Sequence, residues 1–295
     1  MAMQKEEIFQ MLENTKELLS VPQEVLVTFK LLNSNELLDV DVLADFIEKN
    51  AKLSSIILER VNIIVERKTK NFFSVHDAVV FLGAKTVRNF LVFFIMSSFY
   101  KFKSRQRGKR EVNFNIWDYW LHVLGTSIAA DMLMHKLGQK DDFQLFSYGL
   151  LHDIGILVMD TYLPEQMDEI YMMVLAGTSQ IVAEKVVLGG ITHSDIGAWL
   201  CEKWHMSDEI TNIVKYHHTV LLSPNLNDEL RIIYLANIAG TNYYEKLLGL
   251  EAGLPVSAKM LTHFGLTLSD LEILGKQLPA EIEKYQERFS AVELI

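Results

Sequence analysis

Apolar residues recur at intervals of three and four along most of the chain, while alternating runs that would mark half-buried strands are scarce and short. The pattern predicts an all-α protein built as a two-part helical bundle. In the first part Pro22 opens a helix through Val25, Leu26, Phe29 and Leu32. Asp39 or Asp41 caps the next, with Leu43, Phe46 and Ile47 on its inner face. A third helix is expected over Leu53 to Val65. Ser74 is the N-cap of a short helix from Val75 to Leu82 that Gly83 closes, and Lys85 or Thr86 begins a strongly apolar helix continuing to Phe99.

Lys101 to Arg110 carries six basic residues in ten and no helical apolar face, so it reads as an exposed connection between the halves. A solvated surface loop explains it, with a phosphate- or partner-binding patch as the alternative. Phe102 is its one aromatic residue, which gives little support for a single-strand nucleic-acid platform. The division expected is an N-terminal helical subdomain over 1–112, a second helical core over 113–250 and C-terminal helices over 251–295. In the core, one helix spans about Ile116 to Leu137 and ends at Gly138, another runs from roughly Phe143 to Met159, and others follow from Ser194 to Trp204, from near Ser207 to the His217–His218 pair, and from Leu230 to Thr241. The tail predicts helices Ser257 to Phe264 and Ser269 to Phe289, the latter broken by Pro279. Its stripe Leu271, Leu274, Leu278 and Ile282 packs on the body or, alternatively, on a partner or dimer helix, so a homo-oligomer stays open.

With 295 residues, 49% of them hydrophobic, the chain can bury a substantial core in one large domain or two ordinary ones. A net charge of −10 argues against a surface serving mainly as a nucleic-acid footprint, so nucleic acid is not an expected partner. The single cysteine, Cys201, excludes an intramolecular disulfide framework and a cysteine-rich zinc ribbon, and points to a reducing compartment. Any metal must therefore be held by histidine and carboxylate. The start of the chain lacks an apolar signal core, and the longest near-apolar run, Phe90 to Tyr100, is too short to span a bilayer. The expectation is a cytoplasmic protein without a membrane span.

Histidine placement changes the picture, because seven of the nine fall between His122 and His218. Asp118 and His122, four apart, share a helix face. His152 and Asp153 stand together among apolar residues, where buried ionisable groups need hydrogen bonds, opposite charges or a metal. His193 precedes the helix from Ser194, and His217–His218 ends another. His135, His205 and His263 stand alone and read as surface or core residues. His76–Asp77 lies at the start of a short helix, where Asp77 serves the helix N-terminus, and it receives no catalytic role. Five imidazoles and two carboxylates on rigid helices are what a di-metal centre needs. A hydrogen-bonded polar network in which Asp153 orients a histidine is the alternative.

The ordered string His122, Gly149-Leu-Leu-His-Asp-Ile-Gly155, Thr192-His-Ser-Asp-Ile-Gly197 with Trp204, and Tyr216-His217-His218 resembles the HD superfamily of metal-dependent phosphohydrolases, and more closely its HDOD branch. Val21-Pro22-Gln-Glu-Val25, Glu59-Arg-Val-Asn62 and Ala78-Val-Val-Phe-Leu-Gly83 followed by Thr86-Val-Arg-Asn89 are similar to the N-terminal helical part of HDOD proteins. The resemblance covers roughly residues 15 to 240. It implies an all-α bacterial signalling protein whose second part is an HD-like helical core. It also implies one metal position formed by His122, His152, Asp153 and Asn237, a neighbouring one formed by Asp153, His193, His217 and His218, and Asp118 available to a third metal.

The departures bear on activity. Cyclic-dinucleotide phosphodiesterases of the related HD-GYP branch continue the His-Asp helix with Gly-Lys and carry a Gly-Tyr-Pro element. Here Ile156 takes the lysine place and Thr219 to Asn225 holds no such element. The superfamily's last ligand is an Asp, whereas this chain reads Leu235-Ala236-Asn237, and a neutral amide adds no charge to balance a cation. The function expected is thus a signal-transduction module that engages signalling proteins, with a residual or structural divalent ion and little hydrolase activity. No residue is assigned a catalytic role. The alternative is a metal-dependent phosphohydrolase acting on a nucleotide or cyclic nucleotide. Iron, manganese, zinc and nickel all suit such ligands.

Overall fold

Two short polar caps start helices of the first half as their residue types require. In the computed structural model, which describes residues 4–15, 18, 39–65, 72–91, 115–139, 143–247 and 256–289, Asp39 accepts hydrogen bonds from the backbone N–H of Asp41 and Val42, fixing it and not Asp41 as the cap. It starts α2 (Val40–Glu48), which follows α1 (Lys5–Glu13) and precedes α3 (Ala51–Val65). Ser74 Oγ accepts from the Asp77 N–H to start α4 (Val75–Leu82). Leu43, Ile47, Leu53, Ile57, Val61, Ala78 and Val79 are buried where α2, α3 and α4 pack on one another. Residues 84–91 are helical too. The expected Pro22 helix and the basic segment Lys101 to Arg110 lie outside the described residues.

The second half is built around α5 (Ile116–Lys136), with Asn115 as its N-cap; Gly138, at φ +62°, supplies the left-handed turn that stops it. Along α5 pack α6 (Phe143–Leu151), the long α12 (Asp228–Leu247) and the C-terminal α14 (Leu268–Phe289). Then α7 (Ile154–Tyr162) crosses α10 (His193–Lys203), α8 (Pro164–Leu175) pairs with α9 (Gln180–Val187), α11 (Asp208–Tyr216) packs on α10, and α13 (Ala258–His263) leads into α14. No strand occurs among the described residues. The halves touch: Phe9 and Trp199 rings lie 5.8 Å apart, Trp204 Nε1 donates to the Leu18 carbonyl, and Lys85 Nζ reaches Asp131 at 2.7 Å.

Two expectations are corrected. The single helix expected over Phe143 to Met159 is two, because His152 and Asp153 form a turn in which Asp153 leaves helical geometry (φ −103°, ψ 19°) and becomes the N-cap of α7. Conversely, Pro279 does not break the last helix. It sits at an exposed position inside α14, and the helix continues through it.

The stripe Leu271, Leu274, Leu278 and Ile282 is buried against the body, where Tyr285 also stacks on Phe146 at 5.5 Å. Leu278 has 0% exposure. Leu278→Ala is expected to cost about 2–5 kcal/mol, measurable as a lower urea midpoint. A change below ~0.5 kcal/mol would show that α14 is not part of the cooperative unit.

Candidate metal centre

The site begins with the glycines that let two helix starts meet. A Cβ on Gly155, in the first turn of α7, would lie 1.9 Å from the His193 carbonyl oxygen, and one on Gly197 would lie 3.1 Å from the Gly155 nitrogen. Only hydrogen at these positions allows α7 and α10 to approach so closely, which brings Asp153, the N-cap of one helix, beside His193, the first residue of the other. Thr192 and Asp195 form a reciprocal capping box that fixes where α10 begins, and hence where His193 sits. His217 and His218 arrive at the end of α11, which Ser207 caps, and His122 comes from the second turn of α5.

The two oxygens of Asp153 divide the histidines between them. Oδ1 lies 3.2 Å from Nε2 of both His193 and His217, while Oδ2 lies 3.1 Å from Nε2 of His122 and 3.3 Å from Nε2 of His152. Two groups of potential ligand atoms result: Asp153, His193, His217 and His218, and His122, His152 and Asp153. Asp153, His152, His193 and His217 are buried; the His122 side chain is 17% exposed.

Hydrogen bonds on the far side of the rings decide which nitrogen faces inward. His152 Nδ1 lies 2.6 Å from the Gly149 carbonyl and His217 Nδ1 lies 2.9 Å from the Val214 carbonyl. Carbonyls only accept, so both Nδ1 atoms carry the hydrogen, and in the neutral rings both Nε2 atoms present lone pairs. Those Nε2 atoms face further nitrogens: His122 to His152 at 3.3 Å, His193 to His217 at 3.3 Å and His218 to His193 at 3.1 Å. Asp153 Oδ1, fully buried, receives no well-directed hydrogen bond. Lone pairs converging at these distances repel one another unless a cation lies among them, so the donor set fits one or more divalent ions.

The electrostatics agree for three of the four members of the first ligand group, Asp153, His217 and His218. Burial opposes ionisation of Asp153, yet His152 and His193 beside it hold its carboxyl well below the usual carboxylate range. Burial pushes His217 down to about 4 and, with His217 and His193 alongside, also lowers His218, keeping both neutral as ligands must be. Burial likewise disfavours charge on His193, but Glu184 and Asp153 outweigh it and raise it to about 10, so an ion taken up at its Nε2 must displace a proton. Burial, with Asp153 nearby, raises the Tyr119 hydroxyl.

Asp118, half-buried one turn before His122, lies outside both ligand groups. Asn237 is buried on α12, and its Oδ1 accepts a hydrogen bond from Thr241 Oγ1 at 3.3 Å. Asn237→Asp is expected to tighten binding of a second ion at least tenfold, about 1.4 kcal/mol, read as metal per chain at limiting manganese. A lowered melt with unchanged stoichiometry would instead mark a carboxylate buried without a partner. His76 pairs with Asp41 and His263 with Asp228, both partly exposed.

One residue at the site escapes a motif-based reading. Glu184, on α9, is fully buried and contacts His193 at both its backbone nitrogen and its ring. Its signal in the sequence is spacing: with Ala183 and Val187 it occupies the buried face of α9.

The HDOD domain family matches residues 18–220. The chain belongs to the HDOD family. Its fold is shared with an HDOD domain protein of unknown function from Geobacter sulfurreducens, at a TM-score of 0.68 and 21% identity over 94% of this chain and 93% of that one. It is also shared with a candidate phosphohydrolase from Shewanella amazonensis SB2B, at a TM-score of 0.65 and 19% identity over 94% and 96%. A candidate signal transduction protein from Marinobacter aquaeolei VT8 matches at a TM-score of 0.70 and 22% identity, over 93% of this chain but 59% of its own. An uncharacterized protein of Treponema pallidum (strain Nichols) is 25% identical over 84 residues, which are 26% of this HDOD chain and 15% of that protein. No helix among the described residues is long and apolar enough to cross a membrane.

Proposed function

We propose that this HDOD protein is a signal-transduction module that binds a divalent metal ion through Asp153, His193, His217 and His218 and has little hydrolase activity of its own. The observation that carries the metal assignment is the inward convergence of histidine Nε2 atoms on an orphaned, buried Asp153 oxygen. One carboxylate and three imidazoles complete a four-coordinate set, the closed arrangement of a structural ion. In this role the ion ties α7, α10 and α11 together, and the helical surfaces around it engage partner signalling proteins.

The phosphohydrolase reading keeps one observation in its favour. His122 is partly open to solvent and, with His152 and the second Asp153 oxygen, offers a neighbouring ion a less complete set of ligands. A divalent ion there would supply a Lewis acid for attack on a nucleotide phosphodiester. Against it stand Ile156 in place of lysine and Asn237 in place of the last carboxylate.

The test is elemental analysis of protein purified without chelator or nickel resin, followed by assays on a phosphodiester panel that includes cyclic di-GMP. At least one divalent ion per chain is expected, with cyclic di-GMP turnover well below the ~1 s⁻¹ at the lower end of ordinary enzyme rates. Metal-free protein prepared with transition metals available would overturn the metal assignment. Metal-dependent turnover at ordinary rates, abolished by His152→Ala, would replace the module reading with the hydrolase.

A further inference from the structure

The inward-facing rings of His152, His193 and His217 each have their tautomer fixed from behind, but His193 is held differently from the other two. For His152 and His217 the group behind the ring is a backbone carbonyl from the same chain turn. For His193 it is a carboxylate on another helix. Glu184 Oε1 and Oε2 each lie 2.8 Å from His193 Nδ1, and Oε2 also accepts the His193 backbone N–H at 2.9 Å. That N–H belongs to the first residue of α10, one of the helix-start donors that no intrahelical carbonyl can satisfy. Gln180, one turn earlier on α9, donates its Nε2 hydrogen to Glu184 Oε1 at 2.9 Å. The carboxylate has 0% exposure.

Resting on the metal reading above, we propose that Glu184 is a positioning residue for the ion: it orients His193 through ring and backbone together, and supplies the second negative charge that a divalent ion in this group requires. Asp153 is the single carboxylate among the four ligand residues, and Asn237 adds none. A divalent cation beside Asp153 alone would leave one positive charge uncompensated in a buried site. Glu184, reached through the His193 ring, makes the balance even and increases the donor strength of Nε2. Carboxylates placed behind ligating histidines act in this way, and removing them typically weakens metal binding 10–100-fold. The same carboxylate also ties the α8–α9 pair to the start of α10, so ring orientation depends on a helix that supplies no ligand of its own.

Glu184→Gln tests this on the full chain, because glutamine keeps the size and one acceptor while removing the charge. Zinc and manganese affinities by competition titration are expected to fall 10–100-fold with one ion still bound at saturation, and the metal-free melt is expected to fall as well, because three buried donors then share one acceptor oxygen. Histidine ¹⁵N resonances of the zinc-loaded wild type supply a readout that a merely structural role would not give: His193 is expected to be metallated at Nε2 with a strongly downfield Nδ1 proton, which moves upfield in Glu184→Gln. Unchanged affinity in Glu184→Gln while wild type binds metal would overturn the proposal and leave the metal assignment intact. So would His193 ligation through Nδ1, which is readable in wild type even if the variant does not fold. Wild-type protein that binds no ion fails the underlying metal reading instead.

Discussion

Gly155→Ala is expected to cost about 3 kcal/mol or more and to lower the melting temperature by roughly 6–12 °C. The added Cβ would meet the His193 carbonyl at 1.9 Å, and the obstacle is backbone, so no side-chain rotation relieves it. The remedy is separation of α7 from α10. Because Asp153 and His193 lie at the facing starts of these helices, the same displacement pulls apart two members of the first ligand group. Stability and metal binding should therefore fall together. Metal affinity unchanged beside a large stability loss would show that the site adapts independently of the crossing. Gly275→Ala is the natural control, since a Cβ there meets nothing within 4 Å; it is expected to be neutral or stabilising within a helix.

The fold and the ligand groups were legible in the sequence for different reasons. Helix starts at Asp39, Ser74 and Ser207 could be read because each cap is a short polar side chain bonding its own backbone, a local interaction that leaves a local mark. The histidines stood out because polar residues inside apolar helical runs require an explanation. What failed was non-local or unmarked. From Phe143 to Met159 apolar residues continue on both sides of His152–Asp153, so periodicity contains no sign of the turn there, which exists because Asp153 must leave one helix to face four histidines. Pro279 predicts a break by its usual effect within a helix, whereas α14 runs on through it at an exposed position. Glu184 lies nine residues from the histidine it orients, and a glutamate in an amphipathic helix ordinarily faces water. Its burial depends on α10 arriving over α9.

Asp153→Asn is expected to abolish metal binding in both ligand groups, a loss of at least a hundredfold or about 2.7 kcal/mol in affinity. The substitution keeps shape and burial but replaces the one anionic group common to both sets. Each set then offers neutral donors alone, and a divalent ion entering a buried pocket has no ligand charge to offset its lost hydration. The effect is separable from damage to the fold through linkage. An ion present at a hundred times its dissociation constant stabilises the protein by about 2.7 kcal/mol, so manganese should raise the wild-type melt and leave that of Asp153→Asn unmoved. His218→Ala provides the graded comparison: it removes one partly exposed donor from one group, so the melt should still rise with metal, by less. Equal manganese shifts in wild type and Asp153→Asn would place the ion away from Asp153. Neither variant needs an activity assay, which keeps the result independent of whether a substrate for this HDOD protein exists.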